Sequence, residues 1–170
     1  MSLNNLSLSK KLILTFCTIM AGCFLASVVV FLQAYTAKMA LLDQDRAQRI
    51  VNLVDGAMTA MAEQAANERG YLLLGSASTL SAVETERRAL ETALSEATRL
   101  AAGDTILNSK LEAMRAAAGA YAANVADPQI AARKAGTLAA SDIATIGKSE
   151  GAGELDQFRA AASEIKALLA

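Results

Sequence analysis

Residues 12–37 carry no charge and few polar atoms, a run too long and too apolar for the core of a small soluble domain. Aliphatic and aromatic side chains, from Leu12 through Phe16, Phe24 and Phe31 to Leu32, leave only small polar residues between them. Thr15, Thr18 and Ser27 can return their hydroxyls to the helix's own carbonyls, so nothing in the run resists burial in lipid. With a rise of about 1.5 Å per residue, a helix over residues 12–33 reaches about 33 Å, enough for a hydrocarbon core of about 30 Å. Lys10 and Lys11 bound the run on one side and Tyr35 with Lys38 on the other, at headgroup depth. The pattern predicts one membrane span at residues 12–35, after a polar tail of residues 1–11. A cleaved secretory signal is the rival reading. Its apolar region runs only about 7–15 residues and ends in a small-x-small site, whereas Ala34-Tyr35-Thr36 ends in Thr. The basic tail favours an amino terminus inside the cell, which leaves residues 36–170 outside the cytoplasm.

Composition then excludes several chemistries. There is no histidine, which removes His-based acid–base catalysis, His-activated nucleophiles and His-ligated metals. The two cysteines, Cys17 and Cys23, both fall inside the apolar run and on different sides of a helix, so they read as small apolar side chains. The exterior portion must fold without disulfides. A net charge of −1, from 16 basic and 17 acidic residues, with no basic block or aromatic platform, argues against nucleic-acid binding. No residue favours an enzyme, a cofactor or a metal.

Beyond the span the chain is written in helix formers. Met39, Leu42, Ile50, Val54, Ala57, Met61, Ala65 and Leu72 mostly follow helical steps, with lapses at Arg46 and Glu68, and extend the membrane helix into a bundle seam. Gly70 and Gly75, followed by Ser76, Ala77 and Ser78, predict a bend or turn. A second helix fits residues 80–102, with Leu80, Val83, Leu90, Leu94, Ala97 and Ala101 on one stripe and Gly103 just past its end; Arg87 and Arg88, among glutamates, read as a solvated face. Asp104 can cap a third helix whose seam is Leu107, Leu111, Met114, Ala118, Tyr121 and Val125, and which Pro128 should end by residue 126 or 127. A short helix follows over residues 129–145, then a glycine-containing turn to Gly153, then a last helix carrying Leu155, Phe158, Ala162, Ile165, Leu168 and Leu169 on one face. Met39, Met58, Met61 and Met114 read as core gap-fillers. With no strand-type alternation, the fold class is all-α: a transmembrane helix continuing into an up-and-down four-helix bundle.

The stretch Ala65-Ala66-Asn67-Glu68-Arg69-Gly70-Tyr71-Leu72-Leu73-Leu74-Gly75 resembles the signature of the third type of CHASE domain, in which an Arg-Gly-Tyr-Leu-Leu-x-Gly run closes the first helix. Lys110-Leu111, Arg133-Lys134 and residues 151–159 agree in placement, and the resemblance covers about residues 38–170. Leu74, where the family more often has Thr, and Ser76, where it often has an acidic residue, depart from the pattern. The opening residues 5–12 are similar to the start of many chemoreceptors and sensor kinases.

The resemblance implies an extracytoplasmic sensory module of a bacterial receptor in the inner membrane, dimeric, contacting membrane lipid, and taking a small molecule or a periplasmic protein as ligand. Arg69 and Tyr71 are the candidate ligand-binding residues, with Gly70 and Gly75 as structural members of the motif. The bland alternative makes Arg69 a partner for Glu63 or a neighbour's Glu68, and Tyr71 core. The family normally adds a second span and an output region. A first exterior helix of about 58 Å against a last helix of about 25 Å predicts that this chain is the amino-terminal portion of such a receptor, ending before that second span. Two other readings share the architecture: the four-helix ligand-binding domain of chemoreceptors that lack this motif, and a single-pass anchor presenting a helical bundle to a partner.

Overall fold

The computed structural model describes residues 8–138 and 151–170. Five α-helices occur among them: α1 (Leu8–Leu74), α2 (Ala77–Leu100), α3 (Thr105–Tyr121), α4 (Asp127–Lys134) and α5 (Ala152–Leu169), with a π-helical turn, Ala122–Ala126, between α3 and α4. By internal contacts the chain divides into Met1–Asp45 and Arg46–Ala170, although α1 runs through the boundary.

The described part of the first unit is helix alone. Leu12, Phe24, Leu25 and Phe31 are each more than 60% exposed, so none of the described residues covers the apolar run. Thr18 donates to the Leu14 carbonyl at 2.8 Å and Ser27 to the Cys23 carbonyl at 2.9 Å, the back-bonding that makes hydroxyls tolerable in lipid. α1 is the one described helix long and apolar enough to cross a membrane, with a window of mean hydropathy 2.4.

The second unit is a four-helix bundle. Ile50, Val54, Ala57, Met61 and Ala65 of α1 meet Leu90, Leu94 and Ala97 of α2, Leu107, Leu111, Met114 and Tyr121 of α3, and Phe158, Ala162 and Ile165 of α5 in one core. Side chains the size of Phe158, Leu111 and Leu94 each contribute about 1.5–3 kcal/mol when removed from water. Polar pairs on the outside report the up-and-down register. Arg46, at the start of the α1 segment, bonds the carbonyls of Leu100 and Ala102 at the end of α2. Arg115 of α3 reaches Glu91 of α2, Lys110 of α3 pairs with Glu164 of α5, and Lys166 of α5 with Asp55 of α1. A smaller cluster of Tyr71, Leu72, Val83 and Ile130, with Leu80 and Leu138 against it, closes the far end.

The local signals act largely where the sequence places them. Ser76 caps α2 through Ser78 N–H, and Asp104 caps α3 through Leu107 N–H at 2.9 Å. Gly75 (φ +69°) makes the α1–α2 turn and Gly103 (φ +91°) the α2–α3 turn. Met61 and Met114 are core and Met58 is half-buried, but Met39, in the first unit, is 47% exposed.

Four expectations need correction. Gly70 is no bend; it lies inside α1, and the chain turns only at Gly75. Leu168 is 52% exposed while Ala161 takes the buried position on α5. Pro128 does not end the third helix. It sits in the first turn of α4, and the π turn before it respaces the ladder, the Asp127 N–H reaching back five residues to the Ala122 carbonyl. The short helix predicted over residues 129–145 stops at Lys134, where Gly136 (φ +70°) follows; its remainder past residue 138, like the tail of residues 1–7 and Gly147, lies outside the described residues.

Candidate functional site

Two polar side chains interrupt the apolar seam that α1 gives to the bundle. Gln64 and Glu68 lie one turn apart on the stripe that also carries Met61 and Leu72, and they are 1% and 2% exposed. Charged and amide groups survive such burial only when partnered. Glu68 has its partner: Tyr121, the last residue of α3, donates its hydroxyl to Glu68 Oε2 at 2.7 Å. Burial holds the Glu68 carboxyl above the usual carboxylate range, against the opposing pull of the Tyr121 hydrogen bond and of the Arg69 and Arg87 charges. The Tyr121 phenol is pushed up as well, first by burial and then by its bond to the carboxylate. Gly151 lies behind the ring.

Beside this layer, α1, α2 and α3 line a cleft of about 330 Å³. Leu90 and Leu94 of α2 and Ala118 and Ala122 of α3 and the π turn make its apolar wall; Gln64, Arg87 and Arg115 supply polar atoms. The guanidinium charges are already met by carboxylates. Arg87 Nη2 donates to Asp127 at 2.8 Å; Arg115 Nη1 donates to Glu112 at 2.5 Å, and its Nη2 lies 3.4 Å from Glu91. What remains are Nε of Arg87, Nε of Arg115 and Oε1 of Gln64, each buried and without a partner among the described residues. Arg87 is therefore not part of a merely solvated face, while Arg88 beside it is exposed.

The motif residues fall elsewhere. Arg69 is exposed and lines a separate groove of about 250 Å³ with Met61, Phe158 and Arg159. Tyr71 is buried in the cluster with Leu72, Val83 and Ile130. Residues two apart on a helix point to nearly opposite sides, so Arg69 and Tyr71 do not share one notch. A Cβ at Gly70 would lie 3.6 Å from Thr79 Cγ2 of α2, an ordinary van der Waals contact, so the packing there does not require glycine. At Gly75 a Cβ would lie 3.1 Å from an Arg133 guanidinium nitrogen. Glu68, offered in the sequence as an intermolecular partner for Arg69, is engaged inside its own chain. The signal that could have found it is its lapse in the seam: a carboxylate at a core position of an otherwise regular stripe needs a buried donor.

Comparison with protein families matches residues 42–170, well over half the chain, to the CHASE3 domain model. No curated protein and no solved structure matches the chain.

Proposed function

The chain belongs to the CHASE3 domain family, extracellular sensory domains of signalling receptors, and from that premise we propose that it is a membrane-anchored sensor module held by α1 in a bacterial inner membrane, with residues 36–170 on the extracytoplasmic side. One observation carries the reading: a single helix, Leu8–Leu74, contains both an apolar run that no described residue covers and the first seam of the bundle. In water the exposed leucines, valines and phenylalanines of that run would form an apolar surface far larger than soluble monomers tolerate; lipid covers it without cost.

The module has no catalysis of its own. It works as a homodimer, and occupancy of the bundle by a small molecule or a periplasmic protein biases two arrangements of its helices. α1 carries the difference across the bilayer as a small shift or rotation, because hydrogen bonds along a helix transmit displacement where a flexible joint would absorb it.

Topology is the direct test. Ser109 is exposed on α3, and the only native cysteines, Cys17 and Cys23, lie in the span. A Ser109→Cys variant in intact spheroplasts should react with a membrane-impermeant maleimide before any permeabilisation. Reaction only after permeabilisation would overturn the extracytoplasmic assignment. In a complete receptor, a flexible glycine insertion at Lys38 should abolish signalling, and unchanged signalling would rule out transmission through α1.

A further inference from the structure

We propose that Tyr35, Met39 and Leu42 form the exterior part of a seam on which two copies of this chain pair, their α1 helices parallel and in register, with Lys38 of each copy against Asp43 of the other. This deepens the reading of a homodimeric membrane anchor and rests on it.

Within the lipid, apolar side chains surround α1 and no face is marked out. Past Tyr35 the helix changes character: Thr36, Lys38, Asp43, Gln44 and Asp45 are polar, and the large apolar side chains left are Met39, Leu41 and Leu42. Tyr35, Met39 and Leu42 follow one another by four and three positions, one face of a helix and the a and d places of a heptad. The same phase meets Leu25, Val28 and Leu32 inside the span, and it ends at Arg46, which is committed to the Leu100 and Ala102 carbonyls. At about 1.5 Å per residue, Met39 and Leu42 stand about 6 and 10 Å beyond Tyr35, outside the hydrocarbon. Lipid tails do not reach them there. Yet Tyr35, Met39 and Leu42 are 56%, 47% and 55% exposed, so no described residue covers them either.

The charges select a second copy as the occupant. On its own helix Lys38 has no carboxylate three or four positions away, and Asp43 has only Arg46, which is engaged elsewhere. Neither Lys38 nor Asp43 forms an ion pair among the described residues. With Met39 at a and Leu42 at d, Lys38 falls at g and Asp43 at the next e. In a parallel, in-register pair these two places on opposite helices flank the seam together, so the symmetric pair gains the contact twice. Flanking charge orients every copy the same way in one bilayer, so a second copy is parallel by necessity, as this spacing demands. Leu41 lies off the seam, at c.

Disulfide trapping of the full chain in membranes tests the seam. In a Cys17→Ala, Cys23→Ala background, Met39→Cys, Leu42→Cys, Leu41→Cys and Gln44→Cys are made singly and oxidised with copper phenanthroline. Met39→Cys and Leu42→Cys should give covalent dimer about tenfold faster than the other two. Equal rates at all four positions, Leu41→Cys leading, or coupling to a different protein would overturn the seam while leaving the sensory reading in place. A chain that stays monomeric would overturn the seam and the homodimer together; labelling at Ser109 reports topology separately. The charges have their own arm. Lys38→Glu and Asp43→Lys each place like charges on both sides of the symmetric pair, and each should weaken association of labelled chains in micelles about tenfold. Mixing the two variants restores opposite charges at both contacts and should restore the wild-type affinity. Losses that persist in the mixture would overturn the pairing of Lys38 with Asp43.

Discussion

Gly151 lies directly against the ring of Tyr121: a Cβ on Gly151 would stand 2.6 Å from Tyr121 Cε2 and 2.8 Å from Cδ2. The contact fixes where α5 begins relative to the end of α3, and it does so at a residue in the left-handed region (φ +78°). Gly151→Ala therefore meets two penalties, one for the backbone conformation and one for overpacking a ring that Glu68 holds in place. It should lose about 2–4 kcal/mol in denaturant unfolding. Gly103→Ala has the same kind of φ but open space around its Cβ, and should lose only about 1–2 kcal/mol. Equal losses would show that the Tyr121 contact contributes nothing.

The Glu68–Tyr121 bond predicts a pH dependence of stability. The folded-state pKa of Glu68 is raised above its ordinary 4.5, with burial the largest cause. Between those two values the folded chain keeps a proton that the unfolded chain has released, so stability falls as pH rises through that window and is flat beyond it. Glu68→Gln keeps an acceptor for the Tyr121 hydroxyl but cannot titrate. Unfolding midpoints measured across mildly acidic to neutral pH should slope downward in the wild type and lose that slope in the variant; an identical slope in both would assign it to other groups.

Much of this was legible in the seam, including the places where the seam fails. The steps of Ile50, Val54, Ala57, Met61 and Ala65 announced the buried face of α1, and Asp104 announced the cap of α3. The two lapses, Arg46 and Glu68, turn out to be the polar anchors of α1 near opposite ends of the bundle. Periodicity reports which side of a helix is buried, not which distant residue a polar group on that side will meet, so Tyr121 as the partner of Glu68 had no local signature. The same limit hid the cleft. Arg87 and Arg115 are far apart in sequence, and only the antiparallel pairing of α2 and α3 makes them neighbours of Gln64. Arg69 and Tyr71 were conspicuous because they are adjacent in a motif, yet adjacency along a helix separates side chains rather than gathering them.

Arg46 gives that first anchor a measurable role. Its Nε and Nη2 donate at 2.5 Å and 3.0 Å to the carbonyls of Leu100, which the end of α2 leaves without an intrahelical partner, and of Ala102 in the turn that follows. Arg46→Met should cost about 0.5–1.5 kcal/mol and speed amide exchange in the last turn of α2 and in residues 101–103. Lysine keeps the charge but not the planar fork, so Arg46→Lys should recover less than half of the loss. Full recovery by lysine would mean that charge at the end of α2, rather than the two-carbonyl bridge, is what matters.

Pro128 and the π turn are read most simply as a compensating pair. An α-helical ladder through this point would need an N–H from residue 128 to the Asn124 carbonyl, which proline lacks, and its ring would press on that carbonyl. One additional residue in the turn Ala122–Ala126 relieves the conflict while leaving Ile130 directed into its cluster with Tyr71, Leu72 and Val83. Deleting Ala123 should restore α-helical spacing upstream of Pro128, bring the ring back against the ladder and cost about 3 kcal/mol. Pro128→Ala alone should change stability little, because the core, not the proline, now sets the facing of α4. The double variant should regain most of what the deletion lost, so that the two changes are strongly non-additive in unfolding measurements. Additive losses would mean that the π turn serves the cleft or the chain reversal beyond it, and not the proline.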